Sequence, residues 1–352
     1  MIALVKYAEG RGNLELRDVP VPEVRESDVL IEVKAAGICG SDIGFADEEK
    51  MSILHPPVVL GHEFAGVVSK VGSKVKAWKP GDRVVSDNTG YVCGTCYACS
   101  IGDYLLCSER LGLGYGMDGG FTRFVRIDSA LLGRVPNTLF RIPDGVPFEH
   151  AALMDPAANA YRAVVQEGGL LPGEMVAVFG VGALGQFSIQ MARIAGASEI
   201  VAIGLSADTQ RFETARALGA TRCIPSDRED AVAIVRDMTG GEGLGLVIDA
   251  AGPAAVLAQS FSILRNTGKF VKIGYDPAPL GFSLNPLLDK GIQLRGHFGY
   301  DWVSWKNCLR LLAKGTLQIA PLISHTLGLS KWKEGFDLTR SKKAVKVILK
   351  PE

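Results

Sequence analysis

The sequence lacks a net charge, internal repeats and low-complexity segments. Its 352 residues include 38 basic and 38 acidic side chains, which cancel, so the chain as a whole is not attracted to nucleic acid or to an anionic membrane. Aromatic residues are scarce at 7%, whereas hydrophobic residues make up 47% and charged residues 22%. This composition excludes a disordered chain and a fibrous repeat. A chain of this length usually divides into two domains.

Long hydrophobic runs are also missing. The N-terminus, MIALVKYAEG, lacks the basic start and apolar stretch of a signal peptide. The longest charge-free run, 175–192, is interrupted by three glycines, two glutamines and a serine, which argues against a membrane-spanning helix. We therefore expect a cytoplasmic protein with no membrane and no nucleic-acid partner. Its seven cysteines are then not expected to form disulfides, because the cytosol is reducing.

The pattern of predicted elements changes near His150. Before it, short runs rich in β-branched residues predict strands, for example at 29–33 and 64–68. After it, residues 151–166 favour a helix, and apolar strands then alternate with helical patterns. This alternation predicts βαβ units in a parallel sheet. The tail is mixed and ends in a predicted strand at 344–349.

A glycine-rich turn joins a predicted strand, 175–179, to a predicted helix. Gly180, Gly182 and Gly185 have the G-x-G-x-x-G spacing. The first glycine permits a tight turn, the second lets the backbone approach a pyrophosphate, and the third lets the helix pack on the strand. The N–H groups at the start of the helix favour phosphates. The turn therefore predicts a bound nicotinamide dinucleotide, with an empty α/β turn as the alternative.

The acidic residue that normally binds the NAD ribose, ~20 residues after this motif, is missing. The second predicted strand ends at Ile203 and runs into Gly204, Leu205 and Ser206, and the nearest charges are Asp208 and Arg211. Without an acid at the strand end, nothing there repels the extra phosphate of NADP. We expect NAD rather than NADP, but these residues leave the choice open.

Four cysteines have a spacing typical of structural zinc sites. Cys93, Cys96, Cys99 and Cys107 form C-x2-C-x2-C-x7-C, and four thiolates suit a closed tetrahedral zinc site. An iron–sulfur cluster of the bacterial type would end in C-x3-C-P. A zinc lobe that binds nucleic acid would need basic residues, and none occurs between Tyr91 and Cys107.

Three further segments carry possible ligands of a second metal. They contain Cys39 with Ser41 and Asp42, His62 with Glu63, and Asp155. Each has an ordinary alternative, because a lone cysteine or histidine is often a core residue and an aspartate often caps a helix. Their spacing alone does not bring them together.

These segments together resemble the zinc-dependent medium-chain dehydrogenase/reductase family, the alcohol dehydrogenase superfamily, and within it the sorbitol (L-iditol) and threonine dehydrogenase branch. The resemblance implies a GroES-like β-barrel catalytic domain, formed by residues 1–152 and 292–352 with a structural zinc lobe at 90–110. It also implies a Rossmann α/β domain with a doubly wound parallel sheet at 153–291, and an active site in the cleft. The segments that carry the resemblance are 37–42, 60–63, the four-cysteine lobe, 118–121, 180–185 and 294–300.

The resemblance implies a role for each candidate. Cys39 and His62 are expected to bind a catalytic zinc, and Glu63 is expected to be a ligand or a nearby carboxylate. Asp155 falls where the branch usually has Glu, and it either coordinates the metal or reaches it through water. A zinc with one open position makes a bound hydroxyl more acidic. Ser41 is expected to take that proton, while the cofactor accepts the hydride.

The resemblance also implies residues for the cofactor and the substrate. Asp42 is expected to orient His62. Phe45, Phe121, Phe298 and Tyr300 are candidates for lining the substrate pocket, with core packing as the equal alternative. The expected cofactor-binding residues are Gly180, Gly182, Ala183, Leu184, Gly185, Ser206, Arg211, Gly274 and Phe298.

Several positions depart from the family pattern. Gly44 stands where many relatives have a proton-relaying His, Gly299 where sorbitol dehydrogenases have an Arg, and Phe45 where they have a Tyr. We therefore expect oxidation of a secondary hydroxyl of a polyol or sugar-type substrate, in a pocket more apolar or roomier than a sorbitol site. The alternatives are a threonine-type amino-alcohol dehydrogenase and a cofactor-binding member without turnover. The family further implies a homodimer or homotetramer.

Overall fold

The computed structural model describes residues 1–47, 53–128 and 138–352. Two compact units are present. The first comprises residues 1–155, 301–315 and 319–352, and the second comprises residues 156–300 and 316–318. The first unit is thus formed by both ends of the chain, and its boundary residues, 155 and 301, lie three and nine positions beyond the 152 and 292 expected from the sequence.

The described residues form strands throughout the chain. In chain order these are β1 (Ile2–Lys6), β2 (Leu14–Asp18), β3 (Val29–Gly37), β4 (Val58–Val59), β5 (Glu63–Val71), β6 (Arg83–Ser86), β7 (Thr89–Tyr91), β8 (Leu111–Gly112), β9 (Phe124–Ile127), β10 (Leu139–Arg141), β11 (Met175–Phe179), β12 (Glu199–Gly204), β13 (Arg222–Pro225), β14 (Leu244–Asp249), β15 (Leu264–Lys272), β16 (Gln293–Gly296), β17 (Ile323–Gly328) and β18 (Lys346–Lys350).

The helices are concentrated in the second half of the chain. The α-helices are α1 (Gly40–Ala46), α2 (Tyr97–Ser100), α3 (Phe148–Ala151), α4 (Met154–Tyr161), α5 (Ala183–Ile194), α6 (Thr209–Leu218), α7 (Ala231–Met238), α8 (Ala254–Ile263), α9 (Asn285–Lys290), α10 (Trp302–Ala313) and α11 (Trp332–Arg340). A π-helix, Arg162–Glu167, continues α4. The single helix expected at 151–166 is therefore replaced by the end of α3, by α4 and by the π-helix. No helix among the residues described is long and apolar enough to cross a membrane.

The first unit is built mainly from antiparallel strands. Its largest sheet has the order β10-β6-β5-β3-β18-β17, with β9 also paired to β3. The β-branched and aromatic side chains of β3, β5 and β18 enclose one hydrophobic core, which includes Ile31, Phe64 and Val347. β18 pairs with β3, so strands from the N-terminal and C-terminal parts of the sequence belong to the same sheet. This unit has the GroES-like fold that the resemblance implied.

The second unit is a parallel sheet with the strand order β13-β12-β11-β14-β15-β16. This is the doubly wound Rossmann order, in which ligands bind at the carboxyl ends of the strands where the order reverses. The apolar runs of β11, β12 and β14 are buried, as expected of parallel strands covered by helices on both faces. The strand expected at 175–179 is β11 with the same bounds, and the helix expected after the glycine-rich turn is α5, which begins at Ala183.

Candidate active site and metal centres

Three possible metal ligands meet where β3, α1 and β5 join. Cys39 lies between the end of β3 and the start of α1, Glu63 is the first residue of β5, and His62 immediately precedes it. The registers of β3 and β5 place Gly37 opposite Glu63. One ligand atom from each of Cys39, His62 and Glu63 lies within 4.8 Å of the other two, so residues from two separate parts of the sequence could hold a single ion.

Glu63 is held by a lysine that the sequence analysis did not identify. The Lys346 Nζ atom, on β18, lies 2.6 Å from both carboxylate oxygens of Glu63, and both side chains are buried. Lys346 also donates to the carbonyl of Ile38. A β-carbon at position 37 would collide with Glu63 Oε2, so Gly37 provides the space for this carboxylate. The available sequence signal was Lys346 itself, the one charged residue in the strand expected at 344–349.

His62 is oriented by the residues on α1. Its Nδ1 lies 3.4 Å from Asp42 Oδ1, which is longer than a good hydrogen bond, and its Nε2 lies 3.3 Å from Ser41 Oγ. Asp42 Oδ2 accepts a 2.8 Å hydrogen bond from the Cys39 backbone. Burial acts to lower the pKa of His62, but the negative charges of Asp42 and Cys39 raise it well above its usual value. A divalent cation would balance this concentration of buried negative charge.

Asp155 lies outside the three-residue ligand group. Its Oδ2 accepts a 2.9 Å hydrogen bond from Asn88 Nδ2, and Arg110 donates to the oxygen of the same Asn88 amide. Burial and the nearby Glu63 charge raise the pKa of Asp155 to about 6, against the opposing effect of His62. The structure therefore supports direct metal binding by Asp155 less than it does for Cys39, His62 and Glu63. Asn88 and Arg110 carry no sequence signal of this contact.

The four-cysteine lobe brings all of its thiols together. Sulfur atoms of Cys93, Cys96, Cys99 and Cys107 lie within 4.8 Å of one another. The backbone N–H groups of Thr95 and Cys96 lower the pKa of Cys93 to about 6, which favours the thiolate. Burial and the neighbouring sulfurs raise the pKa of Cys99 to about 12, because adjacent thiolates repel unless a cation lies between them.

Both groups of ligands fit zinc. The lobe offers four sulfurs, the donor set of a closed structural zinc site. The second group offers one sulfur, one imidazole nitrogen and one carboxylate, the number and kinds of ligand that leave a fourth position open in catalytic zinc sites. Cys39 and Ser41 are only partly buried, so this second group is accessible to a small molecule.

The glycine-rich turn lies in the second unit, at the carboxyl end of β11. Gly180 has φ of +88°, a conformation that glycine adopts without strain, and its N–H donates to the carbonyl of Ile203 on β12. Gly182 caps α5, and Ala183 and Leu184 begin that helix. A β-carbon at Gly185 would collide with the Gly180 carbonyl, so the third glycine permits close packing of helix against strand.

The other expected cofactor residues also lie in the second unit. Gly274 lies just beyond β15, and its backbone N–H donates to the carbonyl of Asp249 at the end of β14. Ser206 is hydrogen bonded to Asp227, and Arg211 lies 3.5 Å from Asp208. Asp227 follows β13 and was not identified from the sequence, because only the parallel sheet brings it beside Ser206.

The four candidate lining residues differ in exposure. Phe45 and Phe121 are buried in the core of the first unit, where Phe45 packs on Tyr115 and Phe121 on Phe336. For these two residues the packing favours the core alternative. In the second unit Tyr300 is buried, whereas Phe298 is half exposed at 51% and can contact a ligand.

Two family models match the chain. The alcohol dehydrogenase GroES-like domain matches residues 25–137, and the zinc-binding dehydrogenase domain matches residues 183–314. The first match covers the ligand group and the cysteine lobe. The second begins at Ala183, the first residue of α5, between Gly182 and Gly185 of the glycine turn.

Curated relatives match along the whole chain. YdjL of Escherichia coli, a zinc-type alcohol dehydrogenase-like protein, is 44% identical over 99% of this chain and 98% of its own length. An L-threonine 3-dehydrogenase of Bacillus velezensis is 34% identical over 100% and 99%. A sorbitol dehydrogenase of Halalkalibacterium halodurans is 32% identical over 100% and 99%.

Solved structures show the same architecture. The alcohol dehydrogenase TADH of Thermus sp. ATN1 is 34% identical, with a TM-score of 0.89 over 100% of both chains. The 2R,3R-butanediol dehydrogenase of Bacillus subtilis is 28% identical, with a TM-score of 0.88 over 100% of this chain and 99% of its own.

Two alanine substitutions in the glycine turn should have different effects. Gly185→Ala should cost about 1–3 kcal/mol or more of unfolding free energy through overpacking, because the methyl group meets the Gly180 carbonyl. Gly182→Ala should fold normally, since no described atom lies within 4 Å of the position that its methyl group would take. It should instead weaken dinucleotide binding about tenfold, because the methyl occupies the pyrophosphate approach. Thermal unfolding and calorimetric titration measure the two effects, and equal destabilisation by both variants would contradict the assignment.

Removing the Lys346 charge should destabilise the first unit. Lys346→Met leaves the Glu63 carboxylate buried without its partner, and breaking such a pair costs about 3–5 kcal/mol. Urea unfolding followed by tryptophan fluorescence measures the loss. Lys343→Met, at an exposed position nearby in sequence, is the matched control and should change stability little. The double variant Lys346→Met/Glu63→Met should recover part of the loss, and no recovery would argue against the pair as its cause.

Metal analysis tests the cysteine lobe. Cys96→Ser should reduce the zinc content from about two ions per chain to about one, because a structural site needs all four thiolates. Cys223→Ser changes a buried cysteine outside both ligand groups and should leave the zinc content unchanged. An undiminished zinc content in Cys96→Ser would rule out the four-cysteine site.

Proposed function

We propose that this chain, which belongs to the zinc-type alcohol dehydrogenase family, transfers a hydride from a secondary hydroxyl of a polyol or sugar-type substrate to a nicotinamide cofactor. The observation that carries the proposal is the meeting of Cys39, His62 and Glu63 within 4.8 Å, in a chain that also has a glycine turn in a Rossmann sheet. Neither feature alone would support an alcohol dehydrogenase. Together they offer a site for the alcohol and a site for the hydride acceptor.

Cys39 and His62 are the proposed ligands of a catalytic zinc, with Glu63 as the third and Asp155 as a nearby carboxylate. Such a zinc polarises the hydroxyl oxygen and makes its proton easier to remove. Ser41 Oγ lies 3.3 Å from His62 Nε2, the nitrogen that faces away from Asp42. The Ser41 hydroxyl is therefore beside the ligand atoms, where it can accept the substrate proton while it passes its own proton to water.

Lys346 and Asp42 set the charge of this site. Lys346 neutralises Glu63, so the carboxylate does not add its full negative charge to the metal. Asp42 accepts from the Cys39 backbone and faces His62 Nδ1, which would leave Nε2 to bind an ion. A less negative ligand set leaves more of the metal charge to act on the substrate oxygen.

The relatives support the proposed substrate class. Relatives named for sorbitol and for threonine are about equally similar, at 32% and 34% identity. Both substrates carry a secondary hydroxyl. We favour a polyol or sugar-type substrate, and the threonine-type amino alcohol is the second candidate on the strength of the second relative.

The remaining assignments concern the cofactor, the assembly and the compartment. The glycine turn, Ser206, Gly274 and Phe298 are the proposed cofactor contacts, with NAD favoured.

A homodimer or homotetramer is proposed because β16 is an edge strand of its sheet with all four residues exposed, and such edges readily pair. A cytoplasmic location is proposed because five of the seven cysteines are proposed zinc ligands and none of the seven forms a disulfide.

An oxidation assay on zinc-loaded protein tests the function. Hexitols, pentitols, small diols, threonine and simple secondary alcohols would each be offered with NAD and with NADP, and the absorbance of the reduced nicotinamide followed. Activity on polyols is expected. Ser41→Ala should lower kcat about 100-fold or more, as loss of a proton acceptor does, with zinc content unchanged. The exposed Ser330→Ala is the control. Activity on threonine alone favours the second candidate, and silence across the panel favours a member without turnover.

A further inference from the structure

The strand that should carry the ribose-binding acid ends without one. In dinucleotide-binding sheets this acid stands at the end of the second strand and accepts from the adenosine ribose 2′-hydroxyl. Here β12 ends at Gly204, and Ser206 follows two residues later. The site is nevertheless beside the glycine turn, because Gly180 N–H donates to the carbonyl of Ile203 at 2.7 Å.

The neighbouring strand supplies a carboxylate at this place. Asp227 follows β13, which pairs in parallel with β12, so both strands end at the same edge of the sheet. Asp227 Oδ1 accepts from the Ser206 backbone and Oδ2 from the Ser206 hydroxyl, both at 2.6 Å. The Ser226 hydroxyl bonds the Gly204 carbonyl at 3.0 Å and holds the loop against the end of β12. Asp227 is thus tied to β12 by several hydrogen bonds.

Asp227 is ionised and retains capacity for a ligand. The hydrogen bonds from Ser206 hold its pKa below the usual value. A carboxylate offers about four acceptor sites, and Ser206 uses two of them. The side chain is exposed, so a ribose hydroxyl can reach the sites that remain.

Two groups that could bind a 2′-phosphate, the Ser206 hydroxyl and the Arg211 guanidinium, are already engaged. The Ser206 hydroxyl donates to Asp227. Arg211 lies 3.5 Å from Asp208, and burial lowers the pKa of this guanidinium. Asp208 also accepts from the Leu205 backbone at 3.0 Å, so it stays beside the strand end. Arg228, next to Asp227 in sequence, is exposed and is the remaining cation to be tested.

We propose that Asp227 takes the place of the missing acid: it accepts a hydrogen bond from the ribose 2′-hydroxyl of NAD and, with Asp208, repels the 2′-phosphate of NADP. This inference rests on the proposed function for the presence of a nicotinamide cofactor. It goes further by naming the residue that selects between the two cofactors. That residue follows β13, the strand beside β12, and not β12 itself.

Direct binding measurements test the proposal without turnover. NADH and NADPH would be titrated into the zinc-loaded protein by isothermal calorimetry. The unchanged chain should bind NADH about 100-fold more tightly than NADPH, since like charges placed together strongly oppose binding. Asp227→Asn should reduce this ratio about tenfold, by weakening NADH binding and strengthening NADPH binding. Asp208→Asn, which frees Arg211, should also strengthen NADPH binding.

Two controls separate Asp227 from general charge effects. Glu213→Gln removes one exposed negative charge from α6 and should leave the ratio unchanged. Arg228→Gln should not weaken NADPH binding, because this cation is not assigned to the phosphate. Circular dichroism confirms that each variant is folded.

The outcomes distinguish this inference from the proposed function. Equal binding of the two cofactors by the unchanged chain, or a ratio in Asp227→Asn that matches Glu213→Gln, overturns the role of Asp227 and leaves the dehydrogenase proposal standing. Selection of NADH that depends on Asp227, with no oxidation of any alcohol in the panel, supports the inference and removes the proposed reaction. Binding of neither cofactor overturns both.

Discussion

The first unit depends on one buried ion pair. Glu63 and Lys346 are 283 residues apart in sequence and are almost completely removed from water. A buried carboxylate without a partner is strongly destabilising, whereas a paired one is tolerated. The pair therefore favours the arrangement in which β18 lies beside β3, and β3 beside β5. That arrangement also places Cys39 and His62 within reach of a common ion.

The same pair connects stability with the chemistry of the site. Glu63 is close enough to Cys39 and His62 to share a metal, yet both of its oxygens already face Lys346. Gly37 is required at the opposite position, because a β-carbon there would collide with the carboxylate. Gly37, Lys346 and Glu63, which lie on three different strands, thus determine the net negative charge of the ligand group around a bound metal.

The second unit shows a different way of assembling a site. In a parallel sheet the carboxyl ends of neighbouring strands lie at one edge, so residues from separate βαβ units become neighbours. The glycine turn after β11, Ser206 after β12 and Asp227 after β13 meet in this way. Asp227 can do what an acid at the end of β12 would do, although nothing in the local sequence around Ser206 indicates it.

Local patterns in the sequence determined much of this protein. An apolar run predicted β11, and the glycine turn after it predicted the start of α5. Both signals are carried by residues that are close together in the sequence. The four cysteines at short spacing indicated a common site, since a loop of that length keeps them close. Cys39 and His62 were recognised through the family resemblance, because spacing alone does not bring them together.

The tertiary structure decided the contacts between residues that are not neighbours in the sequence. It placed Lys346 on Glu63, Asn88 on Asp155 and Asp227 on Ser206, and it put Phe45 and Phe121 into the core. No periodicity or short motif encodes such contacts, because each joins residues from different elements or loops that only the folded chain brings together. The sequence by itself therefore determined the fold class and the kinds of ligand, and the folded chain decided which charges accompany them.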